Sequence, residues 1–402
     1  MKIIIYSENN YGCGASIAAF RLAAGLAKKN EVLYTYKSHK KMPVAFIDNN
    51  IVPWHIGKST FIRELVYKVV RMMSRFMKMN LDVELYFYIF MRKIKQEQPD
   101  VVHLHNCYFT HKQIARLSTL VPVVWTMHDQ FAVYKYNYKI NTYEGDEKIY
   151  CPINEWRIKE YNVEDLLNCK TSNILFTPPS DWLKNLSEKI LSGRKNIITV
   201  NNGIPTSLFL PVDKVIARNK IGIDKDKFTI LFLAGTGAWE RKNATVIIEA
   251  LKLIPALDIQ VIAIGSISKT GSSDKRLIKK GSVNGIDSLS VYYSSADVFC
   301  ISSIVDNLPN TVLESFSCGT PVLGSKVGGI PEMVVEGKTG WLFDPYNARE
   351  LANKIVDLQE NHDQVKNIAK NCREFAVNQF DESVMVNKYE AIYLNKGKFS
   401  NE

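Results

Sequence analysis

Two carboxylates stand eight positions apart in the run Asp306-Asn307-Leu308-Pro309-Asn310-Thr311-Val312-Leu313-Glu314. The apolar stretch Val298-Phe299-Cys300-Ile301 delivers the chain to the first of them. Pro309 has no N–H, which the first turn of a helix leaves unused, so it suits a helix start. Asn310 and Thr311 then lie where unpaired backbone N–H groups and the helix dipole attract a phosphate. Glu314 falls one turn farther in, roughly 5 Å along the axis, where it can accept hydrogen bonds from two ribose hydroxyls. Asp306, on the loop before the helix, can accept from a hexose. This set of groups suits a sugar joined to a nucleoside diphosphate. A single acid at a helix start is ordinarily only solvated. The complete string, continuing through Cys318-Gly319-Thr320-Pro321, is what raises this pair above that reading.

Three further runs carry candidate chemistry. In Leu233-Ala234-Gly235-Thr236-Gly237-Ala238-Trp239-Glu240-Arg241-Lys242-Asn243, small residues near Gly235 let backbone approach an anion. Arg241 and Lys242 would supply positive charge for a diphosphate, although adjacent basic residues at a helix start are commonly just solvated. Trp125-Thr126-Met127-His128-Asp129 ends a predicted strand, and strand C-terminal edges are where open α/β sheets bind ligands. A lone histidine such as His128 is more often structural. Tyr11-Gly12-Cys13-Gly14-Ala15-Ser16 lies between the first strand and the first helix. Its two glycines, Gly12 and Gly14, are a weak signal by themselves, and Ser16 could equally be an N-cap. No metal is expected. Asp224-Lys225-Asp226 reads as a turn, His103, His105 and Cys107 share one face of a strand end with His111 close by, and Cys151 and Cys169 are too sparse for a zinc site.

The elements that must position these residues alternate. Strands are predicted at 2–6, 31–36, 100–105, 122–127, 174–178 and 196–201, then at 229–235, 258–265, 297–302, 321–324 and 340–343, with helices between. That rhythm implies parallel sheets covered on both faces, an α/β architecture. At 402 residues two domains are expected. Gly, Pro and polar residues cluster at Asn202-Gly203-Ile204-Pro205 and place the division there. The boundaries are thus 1–203, 204–380 and a closing helix in 381–402. A hydrophobic content of 46% and a mean hydropathy of −0.11 describe a globular chain, and its seven cysteines are irregularly spaced. No apolar run approaches the length of a membrane span, and the first residues read as a strand rather than a signal peptide. A cytoplasmic protein with reduced thiols is expected.

The motifs together resemble the retaining GT-B glycosyltransferases of family GT4. The resemblance rests on the paired acids, with Asp306 where glutamate is commoner, on Cys318 to Leu323, on Val327-Gly328-Gly329-Ile330-Pro331-Glu332 and on Gly337 to Phe343. It implies two doubly wound, Rossmann-like domains facing a cleft. The N-terminal domain would bind the acceptor and the C-terminal domain the nucleotide sugar, with the last helix packing back toward the N-terminal domain. It implies Lys242, shared with Arg241, on the pyrophosphate, and His128 on the donor sugar. Gly12, Gly14 and Gly235 would line the phosphate and acceptor side. The family's other basic residue is here Thr236. The implied reaction moves a hexose from a UDP- or GDP-sugar to a glycan or lipid-linked acceptor of surface polysaccharide, metal-independently and without a cofactor. A nucleotide-sugar epimerase and a catalytically silent binding protein are the competing readings.

The net charge of +10 suits an anionic partner. Between Gly57 and Asn80 six cations stand against one acid, Glu64. Lys68, Arg71, Arg75 and Lys78 recur at helical spacing beside an apolar face of Leu65, Val66, Val69, Met72, Met73, Phe76 and Met77. Such a helix can lie on an anionic membrane. A core-packed helix with a solvated basic face fits equally. Nucleic acid is not expected, because no recognisable binding module accompanies the charge.

Overall fold

The computed structural model describes residues 1–8, 13–36, 51–55, 61–77, 79–129, 164–167, 173–191, 196–235, 242–265, 274–283 and 285–395. The chain divides into two compact units, one of Met1–Gly203 with Met385–Glu402 and the other of Ile204–Val384. The returning segment therefore changes unit at 384/385, four residues beyond the expected position.

Each unit is built on a parallel sheet of six strands. The first holds β1 (Lys2–Ser7), β2 (Glu31–Tyr36), β3 (Ile51–His55), β4 (Val101–His105), β5 (Val123–Thr126) and β6 (Ile174–Phe176), in the order β3-β2-β1-β4-β5-β6. The second holds β7 (Phe228–Gly235), β8 (Ile259–Gly265), β9 (Leu277–Lys279), β10 (Val298–Ile301), β11 (Val322–Ser325) and β12 (Gly340–Phe343), in the order β12-β11-β10-β7-β8-β9. Counted within its own sheet, each has its first strand beside its fourth. The connections reverse direction at that pair, and the reversal opens a crevice at the strand C-termini. The central strands, such as Lys2–Ser7 and Ile259–Gly265, are nearly continuous apolar runs. Both faces of a parallel sheet are covered, so such runs bury without alternation.

Sequence reading misses β3 and β9 and overstates one strand. Both missed strands are edges. The first carries Pro53, whose absent N–H is tolerated only at an edge. The second is three residues long and only partly buried. The strand expected at 196–201 is reduced to a single bridge from Ile197 to Phe176. Ile198 and Val200 still donate to Phe176 and Pro178, both at 3.0 Å, so the segment follows the sheet edge without forming a ladder.

The helix Glu382–Leu394 completes the core of the first unit. Met385, Val386, Tyr389 and Tyr393 pack into one cluster with Ile3, Ile5, Ala19, Phe20 and Ala23. Gly25 permits this approach, because a Cβ there would lie 2.3 Å from Val386 Cγ2.

Candidate functional site

In the second unit the predicted residues gather at the switch point between β7 and β10. Gly235 ends β7, with a register irregularity against β8 between Leu233 and Gly235. Lys242 and Asp306 follow the C-terminal ends of β7 and β10. Lys242 Nζ lies 2.7 Å from Asp306 Oδ2, and the two side chains are only 15% and 14% exposed. Ser303 Oγ donates to the same carboxylate oxygen at 3.1 Å. The loop bearing Asp306 is held from below. Ser325 Oγ donates to Ser303 O at 2.7 Å, and Gly329 N donates to Asp306 O at 3.2 Å. Gly328 has φ +55°, and a Cβ there would lie 1.8 Å from Asp306 O, so no side chain fits. Ser302 Oγ ties the other side by donating to Lys242 O at 2.8 Å and Asn243 O at 3.2 Å.

The helix that follows spans Asn310–Ser317. Pro309 occupies its N-cap rather than its first turn, and no side chain caps it. With no N–H to offer, the proline marks the entry and leaves Asn310 and Thr311 to begin the helix. Glu314 is 7% exposed, and its Oε2 accepts from Tyr293 OH at 3.1 Å. Tyr293 is fully buried and makes an edge contact with Phe299 at 5.5 Å between ring centroids. The helix ends as its sequence suggests. Gly319, at φ +73°, donates to Phe316 O, and Thr320 donates to Ser315 O, both at 2.9 Å. This pairing of the two residues after the cap is the Schellman arrangement, which suits glycine in the left-handed conformation.

The first unit holds His128 and Gly14. His128 follows β5, and its Nε2 lies 2.9 Å from His105 Nδ1 at the end of β4. His103, one strand period earlier, lies 2.5 Å from Tyr393 OH and 2.7 Å from Thr126 Oγ1. Thr126 Oγ1 in turn lies 2.7 Å from Tyr389 OH. Both tyrosines come from the returning C-terminal helix. Burial pushes the His128 imidazole down to about 4 and holds His103 and His105 well below the usual histidine range. All three rings are therefore neutral near pH 7. A neutral His128 can exchange hydrogen bonds but cannot supply a positive charge.

Gly14 opens the helix Gly14–Leu26. Ser16 is not its N-cap. Cys13 takes that position, and Ser16, three residues on, reaches back to accept from Cys13 N at 3.2 Å and donate to Cys13 O at 3.0 Å. Gly12 and Arg241 lie outside the described residues, as do Thr236, Cys151 and Cys169. Asp224 and Asp226 form a turn in which Asp226 N donates to Asp224 Oδ1 at 2.9 Å.

Three supporting residues escaped the sequence. Tyr293 carries no signal beyond a helical aromatic, and Ser303 none at all. His105 had one, its period-two relation to His103, but that spacing points as readily to a metal or a plain strand edge.

A family model described as glycosyl transferases group 1 matches residues 213–375, and one described as glycosyltransferase family 4 matches residues 13–208. The chain is 24% identical over 228 residues to N-acetyl-alpha-D-glucosaminyl L-malate synthase of Bacillus anthracis. That alignment covers 54% of this chain and 59% of the relative, so the chain spans about three-fifths of the relative's length. Sucrose-phosphate synthase from Thermosynechococcus elongatus superposes with a TM-score of 0.74 at 19% identity, covering 98% of each chain. Anabaena HepE in complex with UDP-glucose superposes with a TM-score of 0.67 at 17% identity, covering 98% of this chain and 99% of that one.

Proposed function

Because the chain belongs to glycosyltransferase family 4, with the two-domain α/β fold of the GT-B enzymes, we propose that it moves a hexose from a UDP- or GDP-sugar to a glycan or lipid-linked acceptor. The observation that carries this reading is the Lys242–Asp306 pair beside a Glu314 held by Tyr293, all at the switch point of one sheet. HepE, with UDP-glucose bound on a like fold, supports a uridine donor. The reading has the protein at work in the cytoplasm on surface polysaccharide.

In this mechanism Glu314 accepts from the ribose hydroxyls, and the Asn310–Thr311 end of the helix receives a phosphate. Lys242 moves from Asp306 toward the diphosphate as the donor enters, and Asp306 turns to the hexose. Its aspartate side chain reaches one methylene less far than glutamate, which makes it a candidate for tuning sugar choice. His128, kept neutral by burial, exchanges a hydrogen bond with a hexose hydroxyl. The bond from the anomeric carbon to the diphosphate oxygen breaks, and the acceptor oxygen bonds to the same face, with retention. The acceptor proton passes to the departing phosphate oxygen. Lys242, Arg241 and the helix N-terminus stabilise the charge that develops there. The residues named need neither a metal nor a cofactor for these steps.

The test is turnover of UDP- and GDP-sugars, with and without glycan acceptors. Lys242→Ala and Glu314→Ala are each expected to lower donor turnover by about 100-fold or more, the scale of losing one strong transition-state contact. Unchanged turnover in both variants would remove the site. Recovery of an epimerised sugar without acceptor would replace transfer by epimerisation.

A further inference from the structure

On the helix Phe61–Met77 most of the described apolar side chains stay exposed. Val66, Val69, Met72, Met73 and Met77 are 44–65% exposed, and Phe76 is 90% exposed. Ser74 is the one fully enclosed side chain among those described on this helix. Its hydroxyl donates to Asp82 Oδ1 at 3.0 Å and accepts from Asp82 N at 2.9 Å, which pins the helix to the one that follows. That next helix, Leu81–Glu97, behaves as a core helix should and buries Val83, Tyr86, Phe87, Phe90, Met91 and Ile94. Two consecutive helices of 17 residues thus treat their apolar faces in opposite ways.

At 3.6 residues per turn, Met72, Phe76, Val69, Met73, Val66 and Met77 cover an arc of about 140°. Arg71, Arg75 and Lys68, all exposed, fill the adjoining arc of about 60°. The attachment through Ser74 lies on the far side of those cations. Exposed apolar surface of this extent, on one element, marks an interaction face.

We propose that this face docks on an anionic lipid bilayer, with the Met and Phe side chains entering the acyl boundary and the arginines meeting headgroup phosphates. Charge complementarity selects this occupant. A second copy pairing by the same face would bring its own arginines against these. A bilayer supplies anions along the whole edge, and unbranched methionines adapt to a surface without fixed shape. The proposal stands independently of sugar transfer.

The experiment is sedimentation of the full chain with vesicles of phosphatidylcholine alone or mixed with phosphatidylglycerol. Wild type is expected to pellet with the anionic vesicles and to stay in solution with the neutral ones. The double variant Arg71→Gln/Arg75→Gln should partition about thirtyfold more weakly, the usual effect of two cations at an anionic surface. Met72→Ser/Phe76→Ser should lose binding to the anionic vesicles while melting at the wild-type temperature, since neither side chain is packed. Wild-type protein remaining in the supernatant would overturn the proposal, and so would both variants pelleting like wild type. A dimer that Met72→Ser/Phe76→Ser turns into monomer, with vesicle binding unchanged, would assign the face to a second copy instead.

Discussion

At the scale of single residues, the site is a set of charges and hydroxyls prevented from relaxing elsewhere. Lys242 and Asp306 neutralise each other at 2.7 Å in partial burial, so neither carries an unpaired charge before a ligand arrives. Glu314 accepts a hydrogen bond from a buried tyrosine hydroxyl. The histidine trio of the first unit has a consequence for stability. Burial keeps His128 neutral down to about 4, and His103 and His105 neutral well below their usual range. In the unfolded chain each takes a proton near pH 6.5. The unfolded state therefore binds more protons below that value. The stability these rings contribute is complete above pH 6.5 and is lost as pH falls toward the folded values. Each extra proton steepens the loss by about 1.4 kcal/mol per pH unit. Urea unfolding from pH 7.5 to 4.5 should show a steep decline beginning near pH 6.5, before the carboxylates titrate. A flat profile down to pH 5 would contradict neutral burial.

At the scale of elements, the loop after β10 owes its shape to a glycine more than twenty residues downstream in sequence. Gly328 touches the Asp306 backbone so closely that a methyl group has no room. Gly328→Ala is expected to shift Asp306 and lower donor turnover at least tenfold, an energy of about 1.4 kcal/mol, in addition to destabilising the unit. Gly337→Ala is the control. Its φ is also positive, at +70°, but open space surrounds it, so it should cost about 1–2 kcal/mol of stability with turnover intact. Parallel melting and turnover measurements separate the two effects. Equal turnover in both variants would show that the glycine contact does not position Asp306.

At the scale of the whole molecule, the two units differ in how they are written along the chain. Ile204–Val384 is continuous and has its own core, whereas the first unit needs Met385–Glu402 to return. A fragment of residues 204–384 is expected to melt cooperatively and to be stabilised by UDP or GDP, as binding to the folded state requires. A fragment of residues 1–203 should show no cooperative transition until a segment of residues 385–402 is supplied. Calorimetry of the two fragments decides this, and a cooperative transition from residues 1–203 alone would make the returning helix dispensable.

Sequence alone determined what depends on local pattern. The βα alternation, the division at Gly203, the end of the Glu314 helix at Gly319 and the Asp306–Glu314 spacing are all written within a few residues of where they act. Burial in a parallel sheet demands apolar runs, and helix ends demand particular residue types, so these features can be read directly. Only the tertiary structure decided what depends on residues distant in sequence. Tyr293 reaches Glu314 across 21 positions, His103 meets Tyr393 across 290, and Gly328 supports Asp306 from the next crossover. It also separated the two amphipathic helices, whose letters look alike: one buries its apolar face against a sheet and the other leaves it in the open. Periodicity states that a face is apolar. Whether anything covers that face is a property of the folded chain.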